Sequence, residues 1–230
     1  MPERFVLPRR AMAVFAHPDD VDFGCSGTLS QWADAGVHIT YCLLTSGQKG
    51  THDPDMDPEA LARTREREQR AAGKVVGAKE LVFLRHQDGE LVRSQSLVGE
   101  VTRVIREHKP NLLITQDPWR AYQMHPDHRV AGWTGLDALI AARDHLFFRD
   151  QLTNGLTHHR ISRLMLFGTS EPNVWSDITP TIDRKIRAIT SHRSQVRDRK
   201  ALSERMRGFA AATGRAWGIA YAEAFRYFEL

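Results

Sequence analysis

Short apolar runs alternate along the chain with longer amphipathic stretches. The runs at 12–16 (MAVFA), 37–46 (VHITYCLLTS), 80–84 (ELVFL) and 112–115 (LLIT) are continuous and rich in aliphatic, aromatic or β-branched residues. Such runs are typical of strands buried on both faces of a parallel sheet. The pattern therefore predicts an α/β fold: a Rossmann-like, mostly parallel sheet with helices on both faces.

Further elements follow from the same spacing. A strand is predicted at 163–167 and an edge strand at 174–178. Helix starts are expected at Thr28 after a Gly-rich turn, at Pro58 with Asp57 as N-cap, near Leu97, at His128 with Asp127 as N-cap, and at Thr179. Because strands alternate with helices throughout, we expect one domain over residues 1–230.

Two related tetrapeptides follow buried strands. His17-Pro18-Asp19-Asp20 comes after the first run, and residues 125–128 (HPDH) come after the fourth. One tetrapeptide of this kind is expected by chance about once in a thousand chains of this length. The alternative is a pair of Pro-containing turns with Asp caps. Since side chains beyond the carboxyl ends of parallel strands meet in one crevice, the two motifs predict a composite site there.

The chemistry of this site is that of a metal hydrolase. Imidazole and carboxylate ligands together suit zinc, and a carboxylate left over can act as general base. Spacing alone does not say whether Asp19 or Asp20 is the ligand. The residues therefore predict a zinc hydrolase, but they do not say which of the two aspartates binds the metal and which acts as the base.

At these motifs, AHPDDVDFGCSGT and MHPDHRVAG, the chain resembles the PIG-L or LmbE-like deacetylases, a family that includes mycothiol- and bacillithiol-pathway enzymes. Ser26 stands where glycine is usual, and Val21 where many members carry Glu. The segments DGEL (88–91), SHRSQ (191–195) and YAEAF (221–225) extend the likeness over nearly the whole chain.

The resemblance implies one zinc ion per chain, held by His17, Asp20 and His128, with Asp19 as general base. It implies an N-acyl amino sugar as the small-molecule substrate, usually an N-acetylglucosamine unit, hydrolysed to acetate and a free amine. A zinc-activated water would attack the amide carbonyl, since zinc makes hydroxide available at neutral pH.

The second motif is expected to assist this reaction. His125, oriented by Asp127, would stabilise the oxyanion or protonate the leaving amine. The role of His192, in the SHRSQ segment, does not follow from the sequence.

A charged pair in an apolar helical stripe is a further candidate. Arg65 and Glu68 lie among apolar residues spaced by three and four. Because buried charge is unfavourable unless it is paired or used, they either form an ion pair or point into the site. The resemblance implies that Arg65 contacts the substrate.

The loop before the second motif carries three more candidate substrate contacts, Trp119, Arg120 and Tyr122. Tyr122 lies three residues before His125, whereas the mycothiol-pathway enzymes place a tyrosine two before it. This offset argues against a role in mycothiol biosynthesis.

Nucleotide or nucleic-acid binding is the alternative class. The segment 184–207 is rich in Arg and Lys, but acidic residues interrupt it, so a solvated helix face is favoured and no nucleic-acid partner is expected. The turn FGCSGT lacks the G-x-G-x-x-G pattern, there is no Walker lysine, and carboxylates at that turn would repel a phosphate.

Charge and cysteine content indicate the cellular compartment. The net charge of +4 is modest, and Cys25 and Cys42 provide no disulfide framework, so we expect a cytoplasmic protein. The apolar run behind the basic residues 1–10 is too short for a signal peptide or membrane span, so no membrane partner is expected. The sequence leaves homo-oligomer formation open.

Overall fold

A seven-stranded sheet forms the centre of the fold in the computed structural model, which describes residues 6–230. The strands are β1 Arg10–Phe15, β2 His38–Thr45, β3 Glu80–His86, β4 Leu112–Gln116, β5 Arg163–Phe167, β6 Val174–Asp177 and β7 Ala222–Glu229. Their order in the sheet is β3-β2-β1-β4-β5-β7-β6. Strands β1 to β5 pair in parallel, and β7 is antiparallel to both β5 and β6.

Helices cover both faces of this sheet. They are α1 Asp20–Asp34, α2 Pro58–Val76, α3 Gln95–His108, α4 Pro126–Arg143, α5 Arg149–Thr153, α6 Ile182–Ile189 and α7 Arg199–Gly214. One buried cluster joins the sheet to α3 and α4, and a second joins it to α1, α2 and α6. The predicted mostly parallel, doubly covered sheet is therefore confirmed. None of the helices within residues 6–230 has the length and hydrophobicity that a membrane crossing requires.

The topology places a crevice between β1 and β4. The chain leaves β1 for β2 on one side and later returns to β4 on the other, with Ala13 opposite Ile114 and Val14 opposite Thr115. Neighbouring connections that leave in opposite directions open a gap at the carboxyl ends of the strands, where such folds bind ligands. Both tetrapeptides lie just beyond this edge of the sheet.

The start predicted for α1 at Thr28 is wrong, because the helix begins at Asp20. The glycines that suggested a turn lie inside the helix. A Cβ on Gly24 would lie 2.3 Å from the Phe167 ring, and one on Gly27 would lie 2.9 Å from Ile178. These glycines allow α1 to pack closely against the sheet and its edge. The local sequence does not show whether a glycine is needed for such packing or for a turn.

The start predicted for α4 is also displaced. The helix begins at Pro126, and its N-cap is His125, whose Nδ1 accepts a hydrogen bond from the backbone N–H of Asp127 at 3.3 Å. The start of α2 is as predicted, since the Asp57 carboxylate accepts from the N–H groups of Glu59 and Ala60.

The sequence did not predict β7. This strand contains a buried acid, Glu223, which pairs with Lys185 at 2.7 Å and accepts from the N–H groups of Gly27 and Thr28. Because this charged residue interrupts the apolar run, the sequence of β7 lacks the pattern by which the other buried strands were predicted. The edge position predicted for β6 is confirmed.

We expect Gly24→Ala to lower the free energy of unfolding by about 1–3 kcal/mol, because the added methyl group overpacks the contact with Phe167. Gly208→Ala is the matched control, since a Cβ there meets nothing within 4 Å. Gly208 is an exposed position of α7, and alanine has a higher helix propensity than glycine. Chemical denaturation measures both. A Gly24→Ala protein as stable as the wild type would contradict the packing described for α1.

Candidate active site

Ligand-type atoms of three residues converge at the crevice. Nδ1 of His17 lies 3.4 Å from a carboxylate oxygen of Asp20 and 3.3 Å from Nε2 of His128, and Nε2 of His128 lies 3.1 Å from the other oxygen of Asp20. Tetrahedral zinc with bonds of about 2.1 Å has its ligands about 3.4 Å apart. The three residues, hereafter the His17–Asp20–His128 triangle, therefore fit one such ion.

Two carboxylates hold the other side of the His17 ring. Its Nε2 lies 3.0 Å from Asp88 Oδ1 and 3.1 Å from Asp127 Oδ2. Asp127 is fully buried, and its oxygens also accept from the N–H groups of Gly89 and Leu91 at 2.7 and 3.3 Å. These bonds fix the ring so that Nδ1 faces the triangle, as carboxylates behind a metal-binding histidine do.

Two alternative sets of atoms are also close enough to share an ion: His17 with Asp88 and Asp127, and His17 with His125 and His128. In the first set, Asp88 and Asp127 accept from three backbone N–H groups, whereas Asp20 accepts from one, that of His17. In the second, Nδ1 of His125 accepts from a backbone N–H. The His17–Asp20–His128 triangle is the set that supplies two imidazoles and one carboxylate, at distances of 3.1 to 3.4 Å between neighbouring atoms that match tetrahedral zinc.

Asp127 contacts His125 through its backbone and not through its carboxylate. That carboxylate binds His17, and only the backbone N–H of Asp127 contacts His125. The His125 ring stacks on His128 with 4.6 Å between centroids. Since Nδ1 accepts a hydrogen bond, the neutral ring carries its proton on Nε2. Burial, together with the charges of His17 and His128, lowers the pKa of His125.

Asp19 stands beside the triangle in an unusual backbone conformation. Its φ is +94°, and its N–H donates to Oε1 of Gln69 at 2.8 Å. Burial raises the pKa of the Asp19 carboxyl to about 7, against the opposing charge of Arg65 and with added repulsion from Asp20. A carboxylate with a pKa near neutrality suits a general base.

The pKa values of His17 and Asp20 are shifted by the charged groups packed around them. Burial disfavours the charged ring of His17, but hydrogen bonds to Asp127, Asp20 and Asp88 outweigh it and raise its pKa to about 11. For Asp20, burial is outweighed by hydrogen bonds from His128 and His17, which lower its pKa. The site thus stabilises positive charge at its centre, which favours a cation.

Arg65 is 4% exposed, and its side chain contacts Asp19. Its guanidinium donates to the carbonyl oxygens of Gly47 and Pro18 at 2.8 and 2.7 Å and to the Asp19 carboxylate at 3.2 Å. Glu68 instead accepts from the backbone and hydroxyl of Ser194. The structure therefore places Arg65 beside Asp19 and does not pair it with Glu68, while the substrate contact implied by the resemblance stays a prediction.

The three loop residues differ in their distance from the triangle. Arg120 lines a groove of about 340 Å³ that reaches Asp20 and His128. Trp119 is half-exposed and packs edge-on against Trp133, outside this groove. Tyr122 is 93% exposed and is not part of the groove lining. Arg120 is the one of the three that the structure brings to the triangle.

Sequence reasoning missed Asp88 and Gln69 as parts of this site. Asp88 follows β3 at the same edge of the sheet, within the segment DGEL that carries part of the family likeness. Gln69 lies on the buried side of α2, one residue after Glu68. A search for every polar residue just beyond a strand end would have found Asp88, whereas Gln69 carries no such signal.

Within residues 6–230, three of the nine Arg and Lys side chains in the segment 184–207 have acidic partners. Lys185 is buried in its pair with Glu223, Arg184 binds Asp34 at 2.7 Å, and Arg207 pairs with Asp183. The other six are exposed, which agrees with the solvated face predicted from the sequence.

The fold and the site together define an amidohydrolase-type centre on a Rossmann-like sheet. The chain belongs to the GlcNAc-PI de-N-acetylase (PIG-L) family, whose match spans residues 12–139. It is 33% identical to the diacetylchitobiose deacetylase of Thermococcus kodakarensis over 98% of this chain and 85% of that protein. It is 28% identical to the probable N-acetyl-alpha-D-glucosaminyl L-malate deacetylase 2 of Bacillus anthracis, over 81% of each.

A solved structure agrees with this assignment. The N,N'-diacetylchitobiose deacetylase from Pyrococcus horikoshii, crystallised with an inhibitor, superposes with a TM-score of 0.92 at 30% identity, over 96% of this chain and 84% of that one. The protein described here is therefore an N-deacetylase, and the resemblance seen in the motifs is confirmed.

Removal of the Arg65 guanidinium should destabilise the fold. We expect Arg65→Met to lower the free energy of unfolding by about 3 kcal/mol, since Asp19 and two carbonyl oxygens lose a buried partner. Arg67→Met, at an exposed position on the same helix, is the control. Equal stability of the two variants in chemical denaturation would show that Arg65 is not part of the buried network.

Proposed function

We propose that this protein is a zinc-dependent deacetylase that removes the acetyl group from an N-acetylglucosamine unit of a small saccharide or conjugate. The observation that carries the proposal is the His17–Asp20–His128 triangle with the Asp19 carboxylate beside it. The names of the relatives, which act on diacetylchitobiose or on a glucosaminyl malate, support the substrate class.

The triangle would hold one zinc ion per chain. When bound, zinc supplies an acidified water, whose pKa falls to about 7, and a polarised acyl carbonyl. Asp88 and Asp127 keep the His17 ring in place from behind. Their removal would weaken metal binding without removing a ligand.

The protein's own groups then move the protons. Asp19 takes the proton of the attacking water, since its pKa of about 7 lets it be ionised at neutral pH and yet accept a proton. His125, with its proton on Nε2, donates to the developing oxyanion or to the leaving nitrogen. Acetate and the free amino sugar are the products.

Substrate recognition would use the groove and its loop. Arg120 faces the sugar in the groove beside the triangle, and Trp119 and Tyr122 meet the part of the substrate that extends outward. The groove of about 340 Å³ is in the range that accommodates a small ligand. The position of Tyr122 still argues against a mycothiol precursor. The buried free thiols of Cys25 and Cys42 support a cytoplasmic setting.

A substrate panel tests the activity. Zinc-loaded protein should release acetate from N-acetylglucosamine, diacetylchitobiose or an N-acetylglucosaminyl malate, measured by a coupled acetate assay. Free acetyl-lysine, which lacks the sugar, should be a poor substrate. No release from any of the sugars, or faster release from acetyl-lysine, would overturn the proposed substrate class.

Purified wild-type protein should contain about one zinc per chain, and Asp20→Ala should lose it, because two histidines alone hold zinc weakly. Asp34→Asn, an exposed change at the other end of α1, is the control. Elemental analysis by mass spectrometry gives the stoichiometry. Full occupancy in Asp20→Ala would remove Asp20 from the ligand set.

Asp19→Asn should keep its zinc and fold while kcat falls by about two to four orders of magnitude, the scale expected for loss of a general base. Acetate release, thermal melting and zinc content are measured on one preparation. A variant with more than a tenth of the wild-type kcat would transfer the base role to another residue.

A further inference from the structure

A buried chain of hydrogen bonds runs from the backbone of Asp19 into the protein. Gln69 accepts from the N–H of Asp19 at 2.8 Å and donates through Nε2 to the Asp22 carboxylate at 2.9 Å. The same oxygen of Asp22 lies 2.8 Å from Nε2 of His192. We call these three residues the Gln69–Asp22–His192 chain; each is 0% exposed.

The end of the chain at Asp19 is a strained point of the backbone. Asp19 has φ +94°, a region that residues with a side chain seldom adopt and that costs about 1–3 kcal/mol. It is the N-cap of α1, yet its side chain makes no capping hydrogen bond. Something other than local preference must therefore hold this residue, and the hydrogen bond to Gln69 acts directly on its peptide group.

The other end of the chain is anchored by the segment between α6 and α7. Ser194 donates to Glu68 through its backbone N–H and its hydroxyl, and the Gln195 side chain donates to the carbonyl oxygen of Gly50. These bonds hold His192 against Asp22 from outside α1 and α2. Asp22 raises the pKa of His192 against the effect of burial, so the pair is charge-assisted.

We propose that the Gln69–Asp22–His192 chain positions the general base, holding Asp19 in its left-handed conformation so that its carboxylate stays directed at the triangle. The proposal rests on the proposed role of Asp19. Gln69 and His192 are positioning residues, since neither is among the residues of the triangle or its groove. A displacement of a reacting group by about 1 Å can lower a rate about 100-fold.

The test separates positioning from stability by steady-state kinetics. Gln69→Met and His192→Leu should each lower kcat about 10- to 100-fold while KM changes less than about twofold and zinc content stays at the wild-type level. His192→Gln, which can still donate to Asp22 from a similar distance, should recover kcat to within about fivefold of wild type. The double variant should be no slower than the slower single variant, because the residues act as one unit.

Ser191→Ala is the matched control, since its hydroxyl donates to the carbonyl oxygen of Arg187 and neither belongs to the chain nor anchors it, and this variant should keep the wild-type kcat. The proposal is overturned if Gln69→Met or His192→Leu keeps the wild-type kcat, if the losses multiply in the double variant, or if His192→Gln recovers nothing. Failure of Gln69→Met and His192→Leu to fold while Ser191→Ala folds would contradict the positioning role and assign the chain to stability alone. Absence of acetate release from wild-type protein, or equal release from Asp19→Asn, would instead overturn the proposed function.

Discussion

The hydrogen bonds from Nε2 of His17 to Asp127 and Asp88 are the contacts on which the rest of the site depends. They decide which nitrogen of the ring faces the crevice, and hence that Nδ1 meets Asp20 and His128. Asp127 can play this part because it is fully buried in the first turn of α4 and held by two backbone N–H groups of the segment after β3. Strands β1, β3 and β4 thus each contribute, through the segments that follow them, to the placement of one imidazole.

The same arrangement explains the charge balance. Asp19, Asp20, Asp88 and Asp127 lie within reach of one ring, and buried carboxylates require nearby positive charge. Arg65 supplies it for Asp19 from one side. The raised pKa of His17 shows that the remaining carboxylates favour a cation at the centre. A divalent ion would meet that requirement more fully than a proton.

The sequence predicted the parts of the fold that depend on local pattern. The parallel strands were visible as apolar runs, and the two tetrapeptides marked the crevice because proline and aspartate end such runs distinctly. The starts of α1 and α4 were misplaced because glycine at a close packing contact looks like glycine in a turn, and because a histidine can cap a helix. The partner of Asp127 and the role of Gln69 depend on contacts between segments distant in sequence, which no local pattern records.

The position of the metal tests this account most directly. A crystal structure of the zinc-loaded protein, with anomalous diffraction measured on both sides of the zinc absorption edge, locates the ion independently of any assumed ligand. We expect one peak at coordination distance from Nδ1 of His17, the Asp20 carboxylate and Nε2 of His128. A peak on the other side of the ring, between Nε2 of His17, Asp88 and Asp127, would contradict the account.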